Sequence, residues 1–437
     1  MVKILKGNII FTKEKDKFEE YEQGYIVIED GRVAVVSSKL PDIYGGIPVE
    51  DMGDRLIIPG FVDLHVHAPQ WLNTGIGYSK ELIPWLNEYT FPLESAFDDV
   101  DFAREHYKHF IHDLWKAGTT RACIFATRHK EATKILIELL KRSGLGAYVG
   151  KVNMDRNSLP ELQETTEQSI SETLEILEAD PSLYRKYPDK EDQSLSPLVQ
   201  YMITPRFVPS TTPRLMQALG EIAGKYRLPV QSHLCENRGE VAWVRELHPD
   251  IDTFAEVYHD YGLLKQGRTI MAHCIYTTES EIALLKEKNV YAAHCAQSNF
   301  NLASGIMPVR RYLNEQIPVG LGSDVGGGNV LNMTRHIVAS IQASKMYFVE
   351  HSDCSPLSIS EAFYLATKGG GSFFGKAGSF EEGYEFDALV IDDNPLLKNG
   401  RPTLGERLEK FIYTGSAENI TMRFVRGEEV RCPFGSD

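Results

Sequence analysis

Apolar residues fall along this chain in two rhythms, and the switch between them divides it. From residue 1 to about 57 they alternate with polar ones in short runs broken by turns: GNIIFT, GYIVIEDGRVAVVS and GGIPVEDMGDRLIIPG. Asp30-Gly31, between two alternating runs, predicts a hairpin. The far end has the same texture, SFEEGYEFDALVIDD and then EKFIYTGSAENITMRFVRGEEV. Strand-rich ends around a different middle predict one small β-sandwich made of residues 1–57 and 376–437.

In residues 58–375, short apolar runs alternate with amphipathic stretches of helical period. The predicted strands are IIPGFVDLHVH (57–67), TRACIFA (120–126), AYVGKVNM (147–154) and LVQYMITPRF (198–207). Four more follow: LPVQSHL (228–234), RTIMAHC (268–274), NVYAAHC (289–295) and IPVGLGSD (317–324). Between them, EATKILIELLKRSG ends on Gly144, and TTESEIALLKEKN opens with a capping box, Thr278 with Glu281. Eight strands alternating with helices predict an α/β chain with a (β/α)8 TIM-type barrel; an open doubly wound sheet is the alternative.

Polar residues recur where these strands end. Strict alternation in 57–67 puts Phe61, Asp63, His65 and His67 on one face and Val62, Leu64 and Val66 on the other. Two imidazoles at i and i+2 can converge on one ion, although His-x-His alone is a weak signal. His233, His273, His294 and Asp324 also close predicted strands. In a barrel those ends surround one opening, and imidazoles with a carboxylate suit zinc or iron. Glu236, three residues past His233, can reach an open position as a proton shuttle, or it can simply favour the dipole of the helix that follows. Cys235 is a rival ligand.

Other motifs carry less. GLGSDVGGG (320–328) lacks the third glycine of a dinucleotide loop and reads as a strand-end Asp before a flexible loop. His106, His109 and His112 have helical spacing and read as a solvated face. No Cys-x-x-Cys, Gly-x-Ser-x-Gly or P-loop occurs.

Composition sets limits rather than chemistry. The 437 residues are 42% hydrophobic, with twenty Phe, twenty Tyr and four Trp, enough for a sizeable core. Six scattered cysteines, with no export signal ahead of them, imply thiols in a reducing cytoplasm. No run approaches a membrane span. The net charge of −15 argues against a nucleic acid polymer as partner.

Taken together, PGFVDLHVHAPQW, TPRF, SHLCEN, MAHC, AHCAQSN and GLGSD resemble the amidohydrolase superfamily. HAPQ (67–70), EYTFPLE (88–94), TPRF (204–207), SHLCENRGEV (232–241) and the closing GSFEEGYEFDALV (378–390) resemble, more narrowly, its guanine deaminase family. The resemblance covers most of the chain. It implies hydrolysis of guanine to xanthine and ammonia by a metal-bound hydroxide, with His65, His67, His233 and Asp324 as ligands of one Zn2+ or Fe2+. A bridging lysine would imply two metals, but the fourth strand has none and Lys151 lies on the third. Glu236 and His273, with Asp324, match the positions that handle protons and water. Gln70, Arg206 and Phe207 match purine-binding positions, beside His233, Glu236 and His273. Trp71 stands where an aromatic wall is expected. Arg206 can donate to a purine O6, which adenine lacks, and Gln70 can meet a mixed donor–acceptor edge. Cys235 departs from the small hydroxyl residue common there. A homodimer is the family expectation. The alternatives are a deaminase of another purine, a pterin or a cytosine-like ring, a ring-amide or triazine hydrolase, and a non-catalytic binding protein of the same fold.

Overall fold

A computed structural model describes residues 2–184, 196–352, 354–397, 400 and 402–435. All eight predicted runs form parallel barrel strands: Phe61–His67, Thr119–Phe125, Gly146–Gly150, Val199–Tyr201, Val230–Leu234, Thr269–His273, Tyr291–His294 and Val319–Leu321. The first four pair in chain order, as do the last four. A bridge between Ile203 and Val230 joins the halves. The ring closes where Asp324 N donates to His65 O (2.8 Å) and His67 N donates to Val325 O (3.0 Å).

Two apolar layers explain why the strands sit where they do. Val62, Leu64, Cys123, Met202, Ile270, Ala272 and Ala293 fill the interior. Phe61, Val66, Ile124, Val149, Met271 and Leu321 face the surrounding helices. These helices start and stop as the sequence signals: Gly144 ends Lys130–Ser143 at φ +79°, and Thr278 with Glu281 caps Glu279–Glu287.

Two details differ from the sequence pattern. The run 57–67 is split: Val49–Pro59 pairs in the terminal sheet, and the barrel strand begins at Phe61. Gly60 makes the passage, because a Cβ there would lie 2.3 Å from the Thr120 side chain. Inside the barrel strand, register against Thr119–Phe125 shifts between Asp63 and Val66. This bulge re-phases the alternation. Phe61 therefore faces the helices and Val62 and Leu64 face the interior, contrary to strict period two, while His65 and His67 point inward at the top.

Both chain ends form one seven-stranded sheet, with Val49–Pro59 hydrogen-bonded to Val2–Phe11 on one side and Ala388–Ile391 on the other. Arg32, at one end of the sheet, bridges Glu385, so the sheet curls over a shared core of Leu5, Ile9, Phe11, Ile26, Phe380, Phe386 and Val390. It is tied to the barrel by Arg121, buried, whose Nε and Nη2 donate to Asp387 (2.5 Å) and Glu385 (2.6 Å).

Candidate active site

The carboxyl ends of the strands bring the predicted imidazoles together. His67 Nε2 is 3.2 Å from both His65 Nε2 and His233 Nε2. Asp324 Oδ1 lies 3.1 Å from His65 Nε2 and 3.4 Å from His67 Nε2. One donor atom from each of the four lies within 4.8 Å of the rest. Three imidazole nitrogens facing one carboxylate at such spacing cannot satisfy one another by hydrogen bonds alone; a cation can satisfy all four. His233 Nδ1 donates to Arg206 O (2.6 Å), which leaves its Nε2 lone pair free to ligate. Burial pushes the His67 pKa down to about 4 and that of His233 well below its usual value, favouring neutral, ligating rings. Burial alone would raise Asp324, but the neighbouring imidazoles outweigh it and hold the carboxyl well below the usual range.

Backbone strain aims several of these groups. His273 has φ +71° and Asp324 +47°, in the left-handed region that non-glycine residues avoid. Met271, two residues before His273, faces the helices, so plain alternation would turn the histidine outward too. Instead His273 Nδ1 donates to Asn299 Oδ1 (2.9 Å) and its Nε2 lies 3.4 Å from Glu236 Oε2 and 3.7 Å from Asp324 Oδ2.

Glu236 precedes the N-cap Asn237 of the helix Arg238–Leu247, so it lies outside the helix's first turn and faces the cavity. Ser304 Oγ donates to its Oε1 (3.0 Å), and its own N donates to Glu240 Oε2 (2.9 Å). Burial, then the charge on Asp324, raises its pKa to about 8. A carboxyl near neutrality can both take and give a proton.

Three of the four clustered residues, His67, His233 and Asp324, open into a cavity also lined by Gln70, Leu82, Trp85, Leu86, Arg206, Phe207 and Leu302 together with Glu236, Glu240 and His273. Gln70 Nε2 donates to Glu94 Oε1 (2.8 Å) and its Oε1 accepts from Gly326 N (3.3 Å). Arg206 Nη1 donates to Glu94 Oε2 (2.7 Å), with the guanidinium 4.8 Å from the Phe91 ring centroid. Glu94, Trp85 and the leucines were not singled out from the sequence. The only available signal was Glu94's place in EYTFPLE, an acid directly after an apolar run.

Four predicted or rival residues lie apart. Trp71 corrects the expectation of a substrate wall: its Nε1 donates to Asp113 Oδ2 (3.1 Å), and its ring stacks on His109 outside the cavity. The wall there consists of Trp85 and Phe207. Cys235 belongs to the helix-facing layer, its thiol directed at Glu281 Oε1 (3.5 Å). Lys151 is buried and donates to Glu164 Oε2 (2.6 Å). His294 is buried outside the donor cluster, its pKa lowered to about 4 by burial.

The Amidohydrolase family pattern matches residues 56–430. The guanine deaminase of Dictyostelium discoideum is 38% identical over 457 aligned residues, covering 99% of this chain and 98% of its own length. The guanine deaminase of Escherichia coli K12 is 34% identical over 449, covering 98% of each. Among solved structures, guanine deaminase from C. acetobutylicum with guanine bound in the active site superposes with a TM-score of 0.93. It is 51% identical, with 99% of this chain and 100% of that one covered.

Proposed function

The chain belongs to the amidohydrolase family, and we propose that it hydrolyses guanine to xanthine and ammonia. The observation that carries this reading is a four-donor cluster that opens, through His67, His233 and Asp324, into one cavity that Gln70 and Arg206 also line. One Zn2+ per chain fits the donor set, with Fe2+ compatible on the same chemistry. Bound there, such a cation lowers the pKa of water from 15.7 towards ~7 and makes hydroxide available at neutral pH.

The chain's own residues do the rest. Arg206 donates to the 6-oxo group, and Gln70 meets a second edge of the ring with a donor and an acceptor. Phe207 and Trp85 cover the ring and exclude water. Asp324 accepts a hydrogen bond from the attacking water. Glu236 takes the water's proton and delivers it to the ring nitrogen beside C2, which makes that carbon more electrophilic. His273, held by Asn299, stabilises the charge that develops as C2 becomes tetrahedral. Glu236 then takes the second proton, from the new C2 hydroxyl, and passes it to the exocyclic nitrogen, so that the C2–N bond breaks, ammonia leaves and the C2 carbonyl forms.

A homodimer in the cytoplasm is part of the same proposal, as is a division into a terminal unit (1–57 with 376–437) and a barrel (58–375). No helix among the described residues is long and apolar enough to cross a membrane. The test is ammonia release from guanine, adenine, cytosine and 8-oxoguanine, with metal content measured on the same sample. Guanine is expected to be the substrate, with one equivalent of zinc or iron. Turnover of a non-guanine ring alone would overturn the substrate and leave the hydrolytic centre standing.

A further inference from the structure

Glu94 sits behind the cavity wall, buried, and spends both carboxylate oxygens on the two side chains that meet the ligand. Oε1 accepts from Gln70 and Oε2 from Arg206. We propose that Glu94 is a positioning residue that sets ligand choice, orienting Gln70 and Arg206 and cancelling the Arg206 charge, so that the cavity takes a neutral oxo-heterocycle and rejects an anionic one. The proposal rests on reading this cavity as a guanine site.

The geometry carries both halves. Gln70 could in principle present its amide either way round. Glu94 accepts only from its NH2 end, and Gly326 N donates only to its carbonyl end, so a flipped amide would oppose like to like at both contacts. The orientation leaves one N–H and one carbonyl lone pair for a ligand. Arg206 is buried against the Phe91 ring. An unpaired guanidinium there would attract any anion, including the more acidic dioxopurine that the reaction makes. Paired with Glu94, it keeps its donors and presents no net charge. Glu94 itself lines no part of the cavity, so its influence runs through the two residues it holds.

The test uses the metal-loaded protein with Glu94→Gln and Glu94→Asp. Glu94→Gln removes the charge at nearly constant shape; Glu94→Asp keeps the charge but shortens its reach. Guanine kinetics and calorimetric binding of hypoxanthine (neutral, without the reacting amine) and urate (anionic at neutral pH) are measured on each. Glu94→Gln is expected to raise KM for guanine about tenfold or more with kcat within about threefold. It is also expected to weaken hypoxanthine and tighten urate, reversing their order. Glu94→Asp is expected to raise KM about fivefold yet keep urate excluded. If Glu94→Gln does not fold, Glu94→Asp decides: an unchanged KM and unchanged hypoxanthine binding overturn the proposal. Equal discrimination by wild type and Glu94→Gln also overturns it, as does a wild type that fails to bind hypoxanthine. Guanine turnover by the wild type separately judges the proposed function, because the binding arm reads Glu94 without it.

Discussion

Two buried ionic clusters in this molecule are built on opposite principles. At the seam between barrel and terminal sheet, Arg121 and Arg426 face Glu385 and Asp387. Arg121 bonds both acids, Arg426 Nε donates to Glu385 Oε2 (2.7 Å), Arg426 N donates to Asp387 Oδ1 (2.9 Å), and Arg426 Nη1 donates to Ser196 O (2.6 Å). The charges balance and the acids are fully bonded. At the barrel mouth, the Nε2 atoms of His65, His67 and His233 and the Asp324 carboxylate converge on one point, and His273 Nε2 and Glu240 Oε1, on two residues that line the cavity, are buried without a hydrogen-bond partner among the described residues. Burial also drives pKa values there to about 4 for His67 and about 8 for Glu236. A cluster that closes every valence holds two units together. One that leaves donors and lone pairs facing a cavity is ready for a cation, water and substrate, and the strain at His273 and Asp324 is kept for the same end.

The sharpest way to break the contrast is to mutate one group in each cluster. Glu236→Gln is expected to retain the metal, by elemental analysis, while kcat falls by roughly 10²–10⁴, the worth of a positioned acid–base group. Near-wild-type ammonia release would remove Glu236 from proton transfer. Arg121→Met leaves Glu385 and Asp387 short of a partner and is expected to lower unfolding free energy by about 3–5 kcal/mol in denaturant titration. Turnover per folded molecule should stay within about twofold. A large loss of turnover from Arg121→Met, with stability intact, would erase the distinction between the clusters.

How much of this was legible in the sequence follows from how local each signal is. The eight strands, the capping box at Thr278 and the C-terminal Gly144 are written in short windows, and they appear within a few residues of expectation. The donor residues were legible because each ends a strand, and a barrel brings strand ends together. The bulge at Asp63–Val66 was not, because period two in FVDLHVH looks unbroken until its neighbour's register is known. The turn of His273 into the site depends on a left-handed φ that no residue type announces. Glu94 lies 24 residues from Gln70 and 112 from Arg206, so only the fold shows that one carboxylate serves both.

A finer break in the comparison uses pH. Glu240 is buried at the mouth, its pKa raised to about 8 by burial first and by Glu236 second. Its folded value exceeds the unfolded one near 4.5, so its contribution to stability is fully present below about 4.5 and lost as pH rises through about 8. Glu240→Gln keeps an oxygen for the N–H groups of Glu236 and Asn237 and removes the ionisation. The variant is therefore expected to gain on the wild type between pH 5 and 8, by at most about 1.4 kcal/mol per pH unit. Unfolding free energies at both pH values check it; a constant difference would mean Glu240 does not titrate in that window.

The smallest expected effect tests where the mouth ends. Trp71 follows Gln70 directly, yet its indole N–H donates to Asp113 and its ring stacks on His109. Trp71→Phe removes one hydrogen bond and keeps most of the ring, so a loss of about 0.5–1.5 kcal/mol in stability is expected. KM for guanine should stay within about twofold, because no group facing the ligand has moved. Thermal unfolding and steady-state kinetics on one preparation separate the two readouts. If KM instead rises about tenfold at unchanged stability, the functional mouth extends past Gln70 to this ring. The boundary between closed and open valences would then fall one residue later in HAPQW.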